Sequence, residues 1–444
     1  MKIKIFLAGL LALALFTAGY AQTLDKAKLD QFFDRLAEKN KAMGSLVVAK
    51  GGTFFYTRAI GYSRINGTEK KPITATTRFR IGSITKMFTA ALIFQLVEEK
   101  KLKLTDTLDR FSPQIPNAGK ITIAQILAHR SGIHDFTEDR DFQSLRLNPA
   151  TRDELIARIA KGKPDFEPDA KYSYSNSGYV LLGYIVEKVT GKSYEENLRK
   201  RITGKINLKD TYLGSGFTEA GKNESFSYRY VRDWERQPEV HLSVAFGSGA
   251  VISTPNDLVK FIQALFNGKI ISKESLAAMK PIKDDYGMGM EKFTYNGKIF
   301  YGHTGGIDNS GAWLAYLPEE KLTLAYTTNA KVYPVAKIVD GVFDIYYDQP
   351  FTVSAFESFA VSTEVLDKYV GVYSSAGIPV KYAITREGET LFVQPTGQSA
   401  APLEATAEDK FKIEPPGIFF EFDAEKKQMI VKRGDRERIF TKEN

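Results

Sequence analysis

Directly after the small-residue turn Gly82-Ser83, the apolar residues Ile84, Met87, Phe88, Ala91, Leu92 and Leu96 recur at helical spacing. That pattern predicts a buried helix with a serine at or just before its first turn. Unpaired backbone N–H groups and the positive end of the helix dipole favour developing negative charge at that point. Lys86 stands three residues on, so it overlies the same face as Ser83 with Cβ atoms about 5–6 Å apart. A serine hydroxyl is a weak nucleophile until a base takes its proton. A lysine held among apolar neighbours loses basicity by desolvation and can act as that base. The same four residues also fit a serine N-cap followed by a solvated lysine.

The chain has 444 residues, too many for one compact core, and two or three folding units are expected. With 43% hydrophobic and 26% charged residues it has the composition of a soluble globular protein. It carries no dense Lys/Arg block, which argues against nucleic acid as a partner. The formal charge of +8 is a mild basic excess that would suit acidic polymers such as cell-wall material. No cysteine is present, so disulfides, cysteine catalysis and thiolate metal sites are excluded. The four histidines, His129, His134, His241 and His303, show no metal-ligand spacing, and no metal or cofactor is expected.

Residues 1–21 read as a secretory signal. Lys2 and Lys4 precede the apolar run Ile5 to Phe16, and Gly19-Tyr20-Ala21 offers small residues for cleavage. The run is shorter than the ~20 residues of a spanning helix, so an exported chain, periplasmic or extracellular and without a stable membrane anchor, is expected. Leu24 to Lys39 then predicts an amphipathic helix, and Ser45–Ala49 with Thr53–Ala59 a hairpin turning at Gly51-Gly52. Further helices are expected over Thr122–Ala128, closed by Gly132, and over Asp153–Ala160, Tyr179–Val189 and Leu258–Phe266. Segments around Tyr286–Met290, Ile299–Tyr301, Trp313–Leu317 and Leu322–Tyr326 read as strands.

Two further stretches carry polar groups fit for chemistry. In Tyr172-Ser173-Tyr174-Ser175-Asn176-Ser177-Gly178, a phenol beside a cationic lysine can be drawn towards phenolate and carry protons, and an asparagine two residues on can fix an amide. The competing reading is a turn with local backbone bonds and packed rings. Between two expected strands, Gly302-His303-Thr304-Gly305-Gly306 exposes backbone N–H groups able to serve as oxyanion donors.

Each of the patterns Ser-x-x-Lys, Tyr-x-Asn and His-Thr-Gly occurs once, in that order. Together with Ile121-Thr122-Ile123, Leu127, His129-Arg130-Ser131-Gly132-Ile133, Leu182-Gly183 and Gly289-Met290, they make the sequence from about Leu24 to Asp348 resemble the serine hydrolases related to class C β-lactamases and D,D-peptidases. The resemblance implies an α+β fold: an antiparallel sheet flanked by helices, with an all-helical subdomain. It implies that Ser83 attacks a carbonyl and carries the acyl group, that Lys86 assists its deprotonation, and that Tyr174 relays the proton to the leaving group. Asn176, His303, Thr304 and Gly305 would hold substrate, with Thr304 at the carboxylate end of the pocket. The N–H groups of Ser83 and Gly306 would form the oxyanion hole. Most β-lactamases have lysine where this chain has His303. A histidine is neutral over part of the physiological range, so activity on a carboxylate-bearing substrate is expected to fall as pH rises through its titration.

The expected organisation is therefore a signal over 1–21, a hydrolase domain over 22–350, a linker and short helix over 351–370 and a β-domain over 371–444. Six short strands between Val380 and Phe440 favour a small β-barrel or sandwich there. The expected activity is hydrolysis of D-amino-acid peptides or small esters, with β-lactams third. The rival is a non-catalytic module that binds cell-wall peptide. The pocket's shape is expected to depend on the loops 135–149 and 217–241. The sequence leaves oligomeric state open.

Overall fold

The computed structural model describes residues 24–281, 283–352, 359–398, 400–413 and 417–443. The expected signal segment, part of the linker and the Pro415-Pro416 turn lie outside the described residues.

Helix α1 (Lys26–Glu38) buries Leu29, Phe32, Phe33 and Leu36 and leads into the hairpin β1 (Ala42–Lys50) and β2 (Thr53–Ile60). Helix α2 (Thr85–Glu98) follows the 3₁₀ turn Gly82–Ile84 and buries every residue from Thr85 to Leu96. Next come α3 (Ile123–Leu127), α4 (Arg152–Lys161), α5 (Asn176–Thr190), α6 (Leu242–Gly249) and α7 (Pro255–Phe266). The sheet is completed by β3 (Glu291–Tyr295), β4 (Lys298–Ile307), β5 (Ser310–Leu317) and β6 (Leu322–Lys331), and α8 (Val335–Tyr346) closes the unit. These strands form one antiparallel sheet in the order β3-β4-β5-β6-β1-β2.

Alternation along the strands sends side chains to two cores. Val47, Ala49, Leu314 and Ala325 face α2 and α7, whereas Leu46, Val48, Phe300 and Leu324 face α1 and α8. Among the described residues no helix is long and apolar enough to cross a membrane.

A short helix over Thr363–Tyr369 precedes eight strands that close into an antiparallel barrel, the first at Gly371–Ser375 and the last at Arg436–Lys442. Its interior is filled by Leu391, Val393, Phe411, Phe420, Phe422 and Phe440. Two strands of it, Gly371–Ser375 and Ala401–Ala405, are not among the six read from the sequence. The barrel touches the hydrolase unit through Lys41 to Glu404, at 2.6 Å, and through Arg232 to Glu387.

Three expectations are corrected. Tyr286–Met290 is not a strand: apart from an isolated bridge at Tyr286, pairing begins at Glu291. Gly132 does not cap α3. That helix closes at Ala128, and the left-handed residue next to it is His129, at φ 55°. The His303–Gly306 motif does not connect two strands but lies within β4, whose hairpin turns instead at Asp308-Asn309.

Candidate active site

Ser83 is placed by the turn that precedes α2. Gly82 before it has φ 51°, and a Cβ there would stand 2.8–2.9 Å from the backbone of Gly306. A Cβ on Gly305 would stand 2.0 Å from the carbonyl oxygen of Ile81. Glycine on both sides thus lets the strand β4 pack directly on the nucleophile turn. β3 ends its pairing with β4 at Gly302, so the outer edge of β4 is unpaired from His303 onward. The N–H of Thr304 points to that edge, where it donates to Glu291. The N–H of Gly306, two residues on, therefore points the same way, towards Ser83.

Lys86 is fully buried. Its Nζ donates to Ser83 Oγ at 3.1 Å, to Asn176 Oδ1 at 2.8 Å and to the Ser248 carbonyl at 2.9 Å. Burial lowers its pKa to about 7, against partial opposition from the charges of Asp135 and Glu291. A neutral amine keeps two N–H bonds and one lone pair. The oxygens of Asn176 and Ser248 only accept, so the lone pair faces the Ser83 hydroxyl. This arrangement can remove the serine proton near neutral pH.

Asn176, the first residue of α5, is fixed in that orientation by its other end. Its Nδ2 donates to Asp135 Oδ2 at 2.8 Å and to Thr137 Oγ1 at 3.3 Å, and its backbone N–H donates to the same carboxylate oxygen at 3.0 Å.

Tyr174 lies with its ring 4.7 Å from Lys86 Nζ and 4.2 Å from the ring of His129. Burial pushes its phenol well above the ordinary range, and a hydrogen bond with Ser83 pulls the other way. The expectation of a phenolate is thereby reversed. Desolvation outweighs the Ser83 hydrogen bond, and the group is a protonated phenol able to donate to a leaving group.

His303 is 1% exposed. Its Nδ1 donates to the carbonyl of Thr304 at 2.5 Å, and its Nε2 accepts from Tyr286 at 3.0 Å. Burial, with Lys86 adding to it, depresses its pKa, so the ring is neutral at physiological pH. The histidine that stands where most β-lactamases have lysine is thus a neutral, buried ring. Thr304 is likewise engaged, with Oγ1 donating to Glu291 at 3.2 Å.

A cavity of about 590 Å³ opens at Ser83. Of the expected site residues, Ser83, Asn176 and Gly306 line it. Lys86 and Tyr174 both hydrogen-bond Ser83. The loops 135–149 and 217–241 supply Phe136, Phe142, Arg146, Arg229 and Val240 to the wall. Sequence reading missed Asp135, Glu291 and Tyr286 as supports of the site, and no local pattern marks them among 53 acidic and 22 tyrosine residues. His129, noted there only as part of a motif, backs Tyr174 and accepts from the Ser175 N–H at 3.1 Å. Among the described residues no group of three or more His, Asp or Glu is placed to hold a metal.

The Beta-lactamase family model matches residues 29–344. The chain belongs to this family. Within it, the chain is 29% identical to penicillin-binding protein 4* of Bacillus subtilis, over 92% of its own length and 97% of that protein's. It is 26% identical to the teichoic acid D-alanine hydrolase of Staphylococcus aureus, over 54% of its length and 58% of that protein's. Among solved structures, D-amino acid amidase from Ochrobactrum anthropi SV3 superposes with a TM-score of 0.65 at 27% identity, covering 72% of this chain and 98% of the amidase. The octameric penicillin-binding protein homologue from Pyrococcus abyssi superposes with a TM-score of 0.64 at 25% identity, over 94% of this chain and all of that one. The chain is a serine hydrolase of the β-lactamase and penicillin-binding type.

Proposed function

We propose that the chain is exported and hydrolyses amides or esters of D-amino acids through an acyl-enzyme on Ser83. The observation that carries this reading is the Lys86 amine, depressed to about 7 and aimed by two pure acceptors at the Ser83 hydroxyl. Lys86 takes the serine proton as Ser83 attacks the carbonyl, and the N–H groups of Ser83 and Gly306 hold the developing oxyanion. Tyr174 passes a proton to the departing amine or alcohol and regains one from Lys86, and water then attacks the acyl-enzyme, releasing the acid and restoring the Ser83 hydroxyl. Asn176 keeps the lysine in register and must release one of its bonds to hold a substrate amide.

The D-amino-acid preference is supported by two similar proteins, the teichoic acid D-alanine hydrolase and the D-amino acid amidase. Export is supported by the composition of residues 1–21. A buried His303 with a lowered pKa, in place of lysine, favours peptidase or esterase action over efficient β-lactam hydrolysis.

The test is a fluorescent fluorophosphonate or penicillin probe, with Ser83→Ala as control, followed by turnover of a D-Ala-D-Ala peptide, D- and L-alanine nitrophenyl esters and a chromogenic cephalosporin. Ser83-dependent labelling with D-selective turnover is expected. A chain that never labels, or labels equally well as Ser83→Ala, overturns the reading. Labelling without turnover of any substrate favours the penicillin-binding module instead.

A further inference from the structure

Lys331 ends β6 and lies across a bare patch of sheet. Gly306 and Gly311 are paired in register, and a Cβ on Gly311 would come within 3.3 Å of the lysine's Cγ and Cδ. The stem therefore runs over glycine, and Nζ comes to 3.7 Å from where a Cβ on Gly306 would stand. Among the described residues Nζ has no hydrogen-bond or ion-pair partner. The carboxylate that acts on it, Asp308, is already held by Arg80 at 3.0 Å and by Arg146 at 2.9 Å.

Lys331 lines the cavity at Ser83 and also a second cavity, of about 920 Å³, between the hydrolase unit and the barrel. Arg229 and Asn309 line both as well, so the two spaces meet there. The charged side chains on the wall of the first are Arg146, Arg229 and Lys331 against Asp308 alone. Arg229 is paired with Glu235 at 2.7 Å, which leaves Lys331 as the cation there without a counter-ion among the described residues.

We infer that Lys331 is an anion-recognising group at the junction of the two cavities, and that the substrate opened at Ser83 carries a carboxylate or phosphate on its acyl side. This rests on the acyl-enzyme reading above and narrows its substrate class. The acyl side follows from placement along β4. Tyr174, the donor to the leaving group, packs with His129 and Tyr286, and Tyr286 holds His303. Lys331 sits at Gly306 and bonds its backbone N–H to Asn309, roughly 10 Å further along the strand at ~3.4 Å per residue. Tyr174 thus marks the His303 side of the site, and Lys331 the Gly306 end of the strand, beside the turn that carries Ser83. An anion there meets an amine whose stem is already packed, so little side-chain freedom is lost on binding.

The test compares the nitrophenyl monoester of glutarate with nitrophenyl valerate, which match in chain length and differ in the terminal carboxylate. The native chain is expected to favour the glutarate ester by about tenfold in kcat/KM. Lys331→Met is expected to bring the ratio close to one, and Lys331→Arg to restore most of it. Glutarate and glycerol phosphate as competitors separate the two anions: inhibition that Lys331→Met relieves supports the site, and the stronger inhibitor names the group. A native ratio near one, or a preference that survives Lys331→Met, overturns the inference. Loss of all ester hydrolysis in Ser83→Ala is read alongside. Hydrolysis that persists there strikes the acyl-enzyme reading itself, whatever the ratio.

Discussion

The Nζ of Lys86 lies 3.1 Å from the hydroxyl oxygen of Ser83, in a pocket where its other two partners can only accept. Below about pH 7 the amine is protonated and all three contacts are donated, leaving nothing to receive the serine proton. Above that pH the lone pair appears on the side of Ser83. The rate constant kcat/KM for an uncharged ester is therefore expected to climb about tenfold per pH unit below 7 and to flatten above it. Burial holds His129 and His303 below the ordinary histidine range, on the acid side of Lys86. A profile that is flat from pH 5 to 8 would remove Lys86 as the base.

Asp135 acts through Asn176 and never touches Ser83, so it is a positioning residue. Its carboxylate holds the amide that points Oδ1 at Lys86, and its charge raises the lysine's pKa. Asp135→Ala should do two things at once. The plateau rate is expected to fall about 10–100-fold, as for loss of a support behind a catalytic group. The acid limb is expected to move below pH 7, because a stabilising anion has gone. A merely structural role for Asp135 would lower the amount of active protein and leave the limb in place.

How far the site can be read from the sequence follows from how local each part is. Ser83 and Lys86 are legible because one helical turn relates them. Tyr174 and Asn176 are legible because they share a loop that enters α5. Asp135 and Glu291 are not, since they arrive from 41 residues before Asn176 and 13 before Thr304 and resemble any surface carboxylate. The glycines at 302, 305 and 306 read as a break between strands. They stand within a strand, where a Cβ on Gly302 would meet the Leu314 carbonyl at 1.8 Å and one on Gly305 the Ile81 carbonyl at 2.0 Å. The protonation of Tyr174 and His303 is also beyond the sequence: a neighbouring charge can be guessed from motifs, but the desolvation that outweighs it depends on the closed fold. The helices and most strands of the α+β unit are legible from periodicity and their layering from the family resemblance, whereas closure of the tail into a barrel depends on two further strands, Gly371–Ser375 and Ala401–Ala405.

Gly82 tests the join between the nucleophile and the oxyanion strand. Alanine there meets a left-handed backbone at φ 51° and the Gly306 backbone at 2.8–2.9 Å. The conformational part costs about 1–2 kcal/mol. The steric part can be relieved only by moving β4 away from Ser83, which spoils the aim of the Gly306 N–H. Gly82→Ala is therefore expected to lower kcat by 10²-fold or more, in line with loss of one oxyanion donor. The far-UV circular dichroism should stay native, with a melting temperature a few degrees lower. Wild-type turnover in a folded Gly82→Ala protein would place the oxyanion donors elsewhere.

Asp308 should matter for stability. Its side chain is fully buried at the β4–β5 hairpin, at φ 52°, and takes hydrogen bonds from Arg80, Arg146 and the N–H of Val240. Arg80 is itself 3% exposed, with Glu239 at 3.4 Å as its other carboxylate. Asparagine keeps the shape and tolerates the left-handed backbone, so Asp308→Asn removes the charge and little else. Two guanidinium groups then lose a buried counter-ion, and breaking such a pair costs about 3–5 kcal/mol. In urea the unfolding midpoint of the hydrolase unit should drop by about 1–3 M at an unchanged slope. Removing the exposed carboxylate in Glu196→Gln should leave the midpoint where it is, since that side chain only bridges surface lysines. Equal, small shifts in the two variants would mean that water reaches the Arg80 cluster. The β4–β5 hairpin that carries Gly306 would then be held by backbone pairing and not by the charge of Asp308.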